Sequence, residues 1–193
     1  MEDRHFEEEI FDRKDFSVQP IARGEYEYCT FKNCNFSNSD LSQIRFYETE
    51  FLDCNFSNAN LTKTSFQEVV FKNCKMLGLQ FERCNDFGFA AKFDNCQLNY
   101  STFYQMKLNR TSFISSQLQS VDFTEAELKN CVIQNCDLLN ATFLKTNLEK
   151  SDLRKSVNYS IDPENNKIKG AKFSMPEVIG LLDKYQIKID KNS

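Results

Sequence analysis

The chain has 193 residues, with 24 Lys and Arg against 28 Asp and Glu, for a formal net charge of −4. That balance lacks the positive excess of a strongly basic nucleic-acid binder, so direct binding to nucleic acid is not expected. With 19 Phe, no Trp, five Gly and three Pro, the composition also argues against an all-β protein turned by ordinary Gly- and Pro-rich hairpins.

The chain opens MEDRHFEEEIFDRKDF, without the basic stretch and apolar run of a secretory signal. No window approaches the roughly 18 apolar residues of a membrane span. A cytoplasmic protein without membrane contact is expected, and its eight Cys then read as reduced thiols rather than a disulfide framework. His5, the only histidine, falls in a segment expected to fray. Residues 1–28 hold nine acids and four bases, whereas residues 151–193 hold six acids and eight bases. This polarised charge suits either a solvated acidic end or a docking surface for a basic partner.

An apolar residue recurs at every fifth position from Phe6 to Phe81, and again, two residues out of phase, from Phe93 to Leu153. Of the 19 Phe, 17 lie on this register if Phe173 is included; only Phe87 and Phe89 do not. Helices repeat at 3.6 and strands at 2, so a period of five fits neither. Two positions before most register residues the side chain is small or β-branched, as at Cys29, Ser39, Thr49 and Ala59. The other three positions are mostly polar. Two inward and three outward residues per five describe a narrow coil.

A second period lies on the first. FKNCNF at 31, FLDCNF at 51, FKNCKM at 71, FDNCQL at 93, FISSQL at 113 and IQNCDL at 133 share one frame. Four fives therefore make one turn of the coil. The spacing predicts an interior column of Phe31, Phe51, Phe71, Phe93, Phe113 and Ile133, beside a second of Cys34, Cys54, Cys74, Cys96 and Cys136. Rungs from 11 to 173 give about eight coils and a rod of roughly 38 Å at the strand spacing. Thiols stacked at roughly 4.8 Å cannot converge tetrahedrally on zinc or reach good disulfide torsions, so they are expected to be core residues.

The break at 82–92 holds the two additional residues and Gly88. It is expected to be a bulge that bends the rod; the alternative is a partner-binding protrusion presenting Phe87 or Phe89. Loop 157–166 leaves the repeat, and Ile168, Ala171 and Phe173 re-enter it. Ser174 as N-cap, Pro176 in the first turn and Glu177 completing a capping box predict a short α-helix. The chain thus divides into a solenoid over 1–173 and a helical tail over 174–193. Val178, Ile179, Leu181, Leu182 and Tyr185 form the tail's apolar stripe. It either caps its own rod or meets a second copy as a homodimer.

No Ser/His/Asp or Cys/His constellation, phosphate-cradling glycine loop or metalloprotease motif occurs, so no catalysis, cofactor or metal is expected.

The tandem pattern of small residue, Asp or Asn, then Leu or Phe, as in Ala59-Asn60-Leu61 and Ser151-Asp152-Leu153, resembles the pentapeptide-repeat family over roughly residues 11–156. The resemblance implies a right-handed quadrilateral parallel β-helix, all-β apart from the capping helix. In its quinolone-resistance branch such rods imitate duplex DNA, bind DNA gyrase or topoisomerase IV, and dimerise through a C-terminal helix. The implied partner surface here is Glu25, Glu27, Glu48, Glu50 and Asp53. Two features depart from that branch. Its long projecting loops are missing, and a net charge of −4 compares with about 22 negative charges on duplex DNA of similar length. A generic protein-binding scaffold is the alternative.

Overall fold

The computed structural model describes residues 4–190. Its strands are β1 (Arg4–Glu7), β2 (Ile10–Asp12), β3 (Gly24–Glu27), β4 (Thr30–Lys32), β5 (Arg45–Tyr47) and β6 (Glu50–Leu52). They continue as β7 (Ser65–Gln67), β8 (Val69–Lys72), β9 (Ala91–Asp94), β10 (Ser112–Ile114) and β11 (Val132–Gln134). All pair in parallel, in the orders β1-β3-β5-β7 and β11-β10-β9-β8-β6-β4-β2. Single bridges build the other two faces. One ladder runs from Asp15 through Asn35, Asn55, Lys75, Gln97, Gln117 and Asp137 to Val157; the other includes Asp40↔Asn60 and Gln80↔Thr102. The fold is a four-faced, parallel-strand β-solenoid.

The turns need little Gly or Pro because the residue two places after most register positions takes a left-handed conformation. Asn33 (φ 53), Asp53 (φ 55) and Asn73 (φ 56) are examples. That conformation costs an ordinary L-residue roughly 1–2 kcal/mol, less for Asn and Asp, whose short polar side chains bond locally. Hydrogen bonds to the next coil offset it: the Asn33 amide donates to the Leu52 carbonyl at 2.9 Å and that of Asp53 to Lys72 at 3.0 Å. The Asn or Asp just before the register residue steadies the same corner. Asn35 Oδ1 accepts the Ser37 amide at 3.1 Å, while its Nδ2 donates to Asp15 on the preceding rung at 3.0 Å.

Inside, Phe31, Phe51, Phe71, Phe93, Phe113 and Ile133 occupy one register of the second sheet, and each is fully buried. Successive rings stack at 5.0, 5.1, 5.2 and 5.1 Å, near the rung spacing. The small inward position does more than save space. The thiols of Cys34, Cys54, Cys74 and Cys96 donate to the carbonyls of Phe11, Phe31, Phe51 and Phe71 in the preceding coil, at 3.3 to 3.5 Å. Ser116, Cys136 and Ser156 extend the ladder to Phe93, Phe113 and Ile133. All eight cysteines are free thiols.

Three expectations are corrected. His5 is not frayed: it lies in β1, opposite Glu25 of β3. Phe89 is not on the surface. It is 5% exposed, its ring set edge-on to Phe66 and Phe81, while Phe87 is 78% exposed. The two additional residues are thus absorbed just ahead of Phe89, where Gly88 turns at φ 70, and β8 pairs with β9 across the break. Loop 157–166 does not leave the core: Tyr159 and Ile161 point inward, buried. Lys167 and Lys172 pair with Asn147 and Asp152, twenty residues earlier, so no phase is lost.

The capping α-helix is the fourth correction. The tail forms two 3-10 turns, Glu177–Leu181 and Asp183–Tyr185. Ser174 supplies no side-chain cap to the first turn; its Oγ accepts the Lys155 amide of the coil at 3.0 Å. The Gly180 carbonyl, which an α-helix would spend on its own fourth residue, accepts the Ile161 amide at 3.1 Å instead. A Cβ at Gly180 would lie 2.0 Å from the Tyr159 carbonyl oxygen, so only glycine allows this approach.

Candidate functional site

The acidic residues lie on the N-terminal coils, at the corner between the faces of β5 and β6. Glu25 and Glu27 are outward residues of β3, both half-buried; Glu48 occupies the left-handed corner (φ 44), Glu50 begins β6, and Asp53 takes the next left-handed corner. Glu48, Glu50 and Asp53 are exposed. The register brings bases among them. Arg45 stacks on Glu25 and pairs with it at 3.4 Å, and Lys32 and Lys72 flank Leu52 on the neighbouring column. Asp53 accepts a hydrogen bond from Asn73 Nδ2 at 3.0 Å. A hydrogen bond to Glu48 raises the Tyr47 phenol above its ordinary value. The five acids therefore form a mixed surface in which Glu48, Glu50 and Asp53 are the exposed members.

At the other end, the tail covers part of the last coil. Leu181 packs against the core, Val178 and Ile179 are half-buried, and Leu182 and Tyr185 are exposed. Lys184 fastens the tail to its own coil through Asp162 (2.7 Å) and Glu164, and the Tyr185 hydroxyl donates to Glu164 at 2.9 Å. Lys184 holds the carboxyls of Asp162 and Glu164 below their usual range. Sequence reading found the apolar stripe but missed this ionic fastening, because no local spacing links Lys184 to residues 162 and 164. Ile187 and Ile189 continue the exposed apolar surface beyond the stripe.

Two of the buried thiols, Cys131 and Cys136, are unsuited to nucleophilic chemistry. Burial pushes Cys131 up to about 12 and Cys136 to about 11. Among the described residues, no helix is long and apolar enough to cross a membrane.

Comparison with solved structures places this rod beside two trypsin-treated variants of QnrB1, a plasmid-mediated fluoroquinolone resistance protein. One has a TM-score of 0.65 at 19% identity over 97% of this chain and 92% of that one; the other has 0.65 at 18% over 97% and 98%. HetL, a pentapeptide-repeat protein involved in heterocyst differentiation regulation in the cyanobacterium Nostoc sp. strain PCC 7120, gives 0.51 at 14% over 87% and 84%. No curated protein sequence matches significantly. The sequence model of the pentapeptide repeat region matches residues 25–87 and 89–174, interrupted only at Gly88 in the bulge. With the five-residue register, the four-faced coil and this match in agreement, the chain belongs to the pentapeptide-repeat family.

Proposed function

We propose that this protein is a non-enzymatic binding rod whose partner is a type II topoisomerase, DNA gyrase or topoisomerase IV. It engages the enzyme's basic DNA-binding groove through Glu25, Glu27, Glu48, Glu50 and Asp53. The observation that carries this reading is the exposure of Glu48, Glu50 and Asp53 on and beside paired strands. Carboxylates held on rigid backbone lose little ordering entropy on docking. The likeness in fold to QnrB1, a fluoroquinolone resistance protein, supports the choice of partner. The rod acts in the cytoplasm without a cofactor. Its exposed Leu182, Tyr185, Ile187 and Ile189 support pairing with a second copy about a twofold axis at the C-terminal end.

A scaffold for an unrelated protein partner is the second reading, favoured by the bases Arg45, Lys32 and Lys72 that interrupt the acidic surface. A gyrase supercoiling assay at low salt, with and without a fluoroquinolone, separates the two. The topoisomerase reading expects the full-length protein to inhibit supercoiling or to relieve the drug's inhibition. A protein that does neither leaves the scaffold reading.

A further inference from the structure

We propose that His5, Glu7, Glu25 and Glu27 form a binding site for a divalent transition-metal ion of the zinc class, on the outer face of the first two coils. The pairing of β1 with β3 sets His5 directly opposite Glu25 and Glu7 directly opposite Glu27. His5 and Glu7 are two apart in their strand, as are Glu25 and Glu27, so all four side chains leave the same face. His5 Nε2 lies 3.9 Å from a carboxylate oxygen of Glu7 and 3.9 Å from one of Glu27. Donor atoms of His5, Glu25 and Glu27 all fall within 4.8 Å of one another.

Zinc bonds of about 2.0–2.2 Å put neighbouring donors roughly 3.3 Å apart, so the donor pairs must close by about 0.5 to 1.5 Å. Half-exposed glutamates can do this by rotating about their side-chain bonds, with water completing the shell. The electrostatics independently call for a cation. Glu7 and Glu27 are like charges facing each other across a rung, an arrangement that destabilises a sheet, and Glu25 adds a third carboxylate beside them. Arg45, one rung further on, pairs with Glu25 at 3.4 Å. An imidazole among carboxylates selects zinc-like ions over magnesium or calcium, which take oxygen donors. The ion would tie the terminal strand to its neighbour. The site shares Glu25 and Glu27 with the proposed docking surface, but its test contains no partner protein, so either reading can fail without the other.

The test is calorimetric titration of ZnCl2 into the full-length protein, with the imidazole Hε1 resonance followed by NMR. As the only histidine, His5 gives an unambiguous signal. One zinc per chain should bind and move that signal, and MgCl2 should do neither. His5→Ala and Glu27→Gln should each weaken binding at least about tenfold, and zinc should raise the unfolding temperature of the wild type but not of His5→Ala. The proposal is overturned if zinc fails to bind at on the order of 100 µM, a range that bounds any useful linkage to folding. It is equally overturned if His5→Ala binds with undiminished affinity, or if heat is released while the imidazole signal stays in place.

Discussion

The Cys74 thiol donates to the Phe51 carbonyl at 3.3 Å, crossing from one coil to the coil before it. Every rung of this column from Cys34 to Ser156 carries a thiol or hydroxyl that does the same, and Ser156 reaches the Ile133 carbonyl at 2.6 Å. A buried carbonyl that loses its donor costs about 1–3 kcal/mol. Cys74→Val should therefore destabilise the fold by that amount, and Cys74→Ser should stay within about 1 kcal/mol of the wild type. Urea unfolding of the two variants measures the difference; equal stabilities would show that the column needs only small side chains.

The same burial predicts unreactive thiols. Seven cysteines are buried, the eighth, Cys84, is partly so, and burial raises Cys29, Cys74, Cys84, Cys131 and Cys136. A thiol reagent at neutral pH should find no fast-reacting group in the native protein and eight in denaturant. The linkage has a definite sign. For these five, the unfolded thiol ionises near its ordinary value of 9.0 while the buried one stays protonated, so their contribution to stability should fall as pH rises above about 9.

Phe71 is fully buried, stacked between Phe51 and Phe93 at 5.1 and 5.2 Å. Phe71→Ala should cost about 3–5 kcal/mol. A loss smaller than about 0.5 kcal/mol would be that of a surface position and would contradict a packed column.

Acid should release the tail before it unfolds the rod. Lys184 depresses the carboxyls of Asp162 and Glu164 below their ordinary values of 3.8 and 4.5. Their contribution is complete above those values and is lost as pH falls through the lower folded-state values. Tyr185 fluorescence or limited proteolysis of the tail should change in this acid range while the circular dichroism of the solenoid persists. Lys184→Ala should show the released tail already at pH 7, and tail protection unchanged in that variant would contradict the ionic fastening.

Reversing Glu48, Glu50 and Asp53 to Lys tests the acidic corner. Because these positions are exposed, stability should move by no more than about 1 kcal/mol, most of it from the Asp53 bond to Asn73. Binding to gyrase should be abolished, and wild-type binding should weaken as salt rises. A triple variant that binds as well as the wild type would move the contact surface elsewhere.

The solenoid was legible in the sequence because its physics is repetitive. Each rung meets an equivalent rung twenty residues away, so the inward apolar position is written into the chain at every fifth residue, from Phe31 to Ile133 and beyond. The same regularity marked 82–92 as a break. Where interactions do not repeat, local pattern misleads. Ser174 and Glu177 spell a capping box, yet the Gly180 carbonyl has a better partner in the Ile161 amide, brought there only by the coil. Phe87 and Phe89 are equivalent by composition, and only the space between Phe66 and Phe81 chooses Phe89 for the interior. Tertiary register alone also sets His5 and Glu7 against Glu25 and Glu27, and Arg45 beside Glu25. Periodic burial is a property of the chain read along its length; pairings between outward residues arise only when the coils stack.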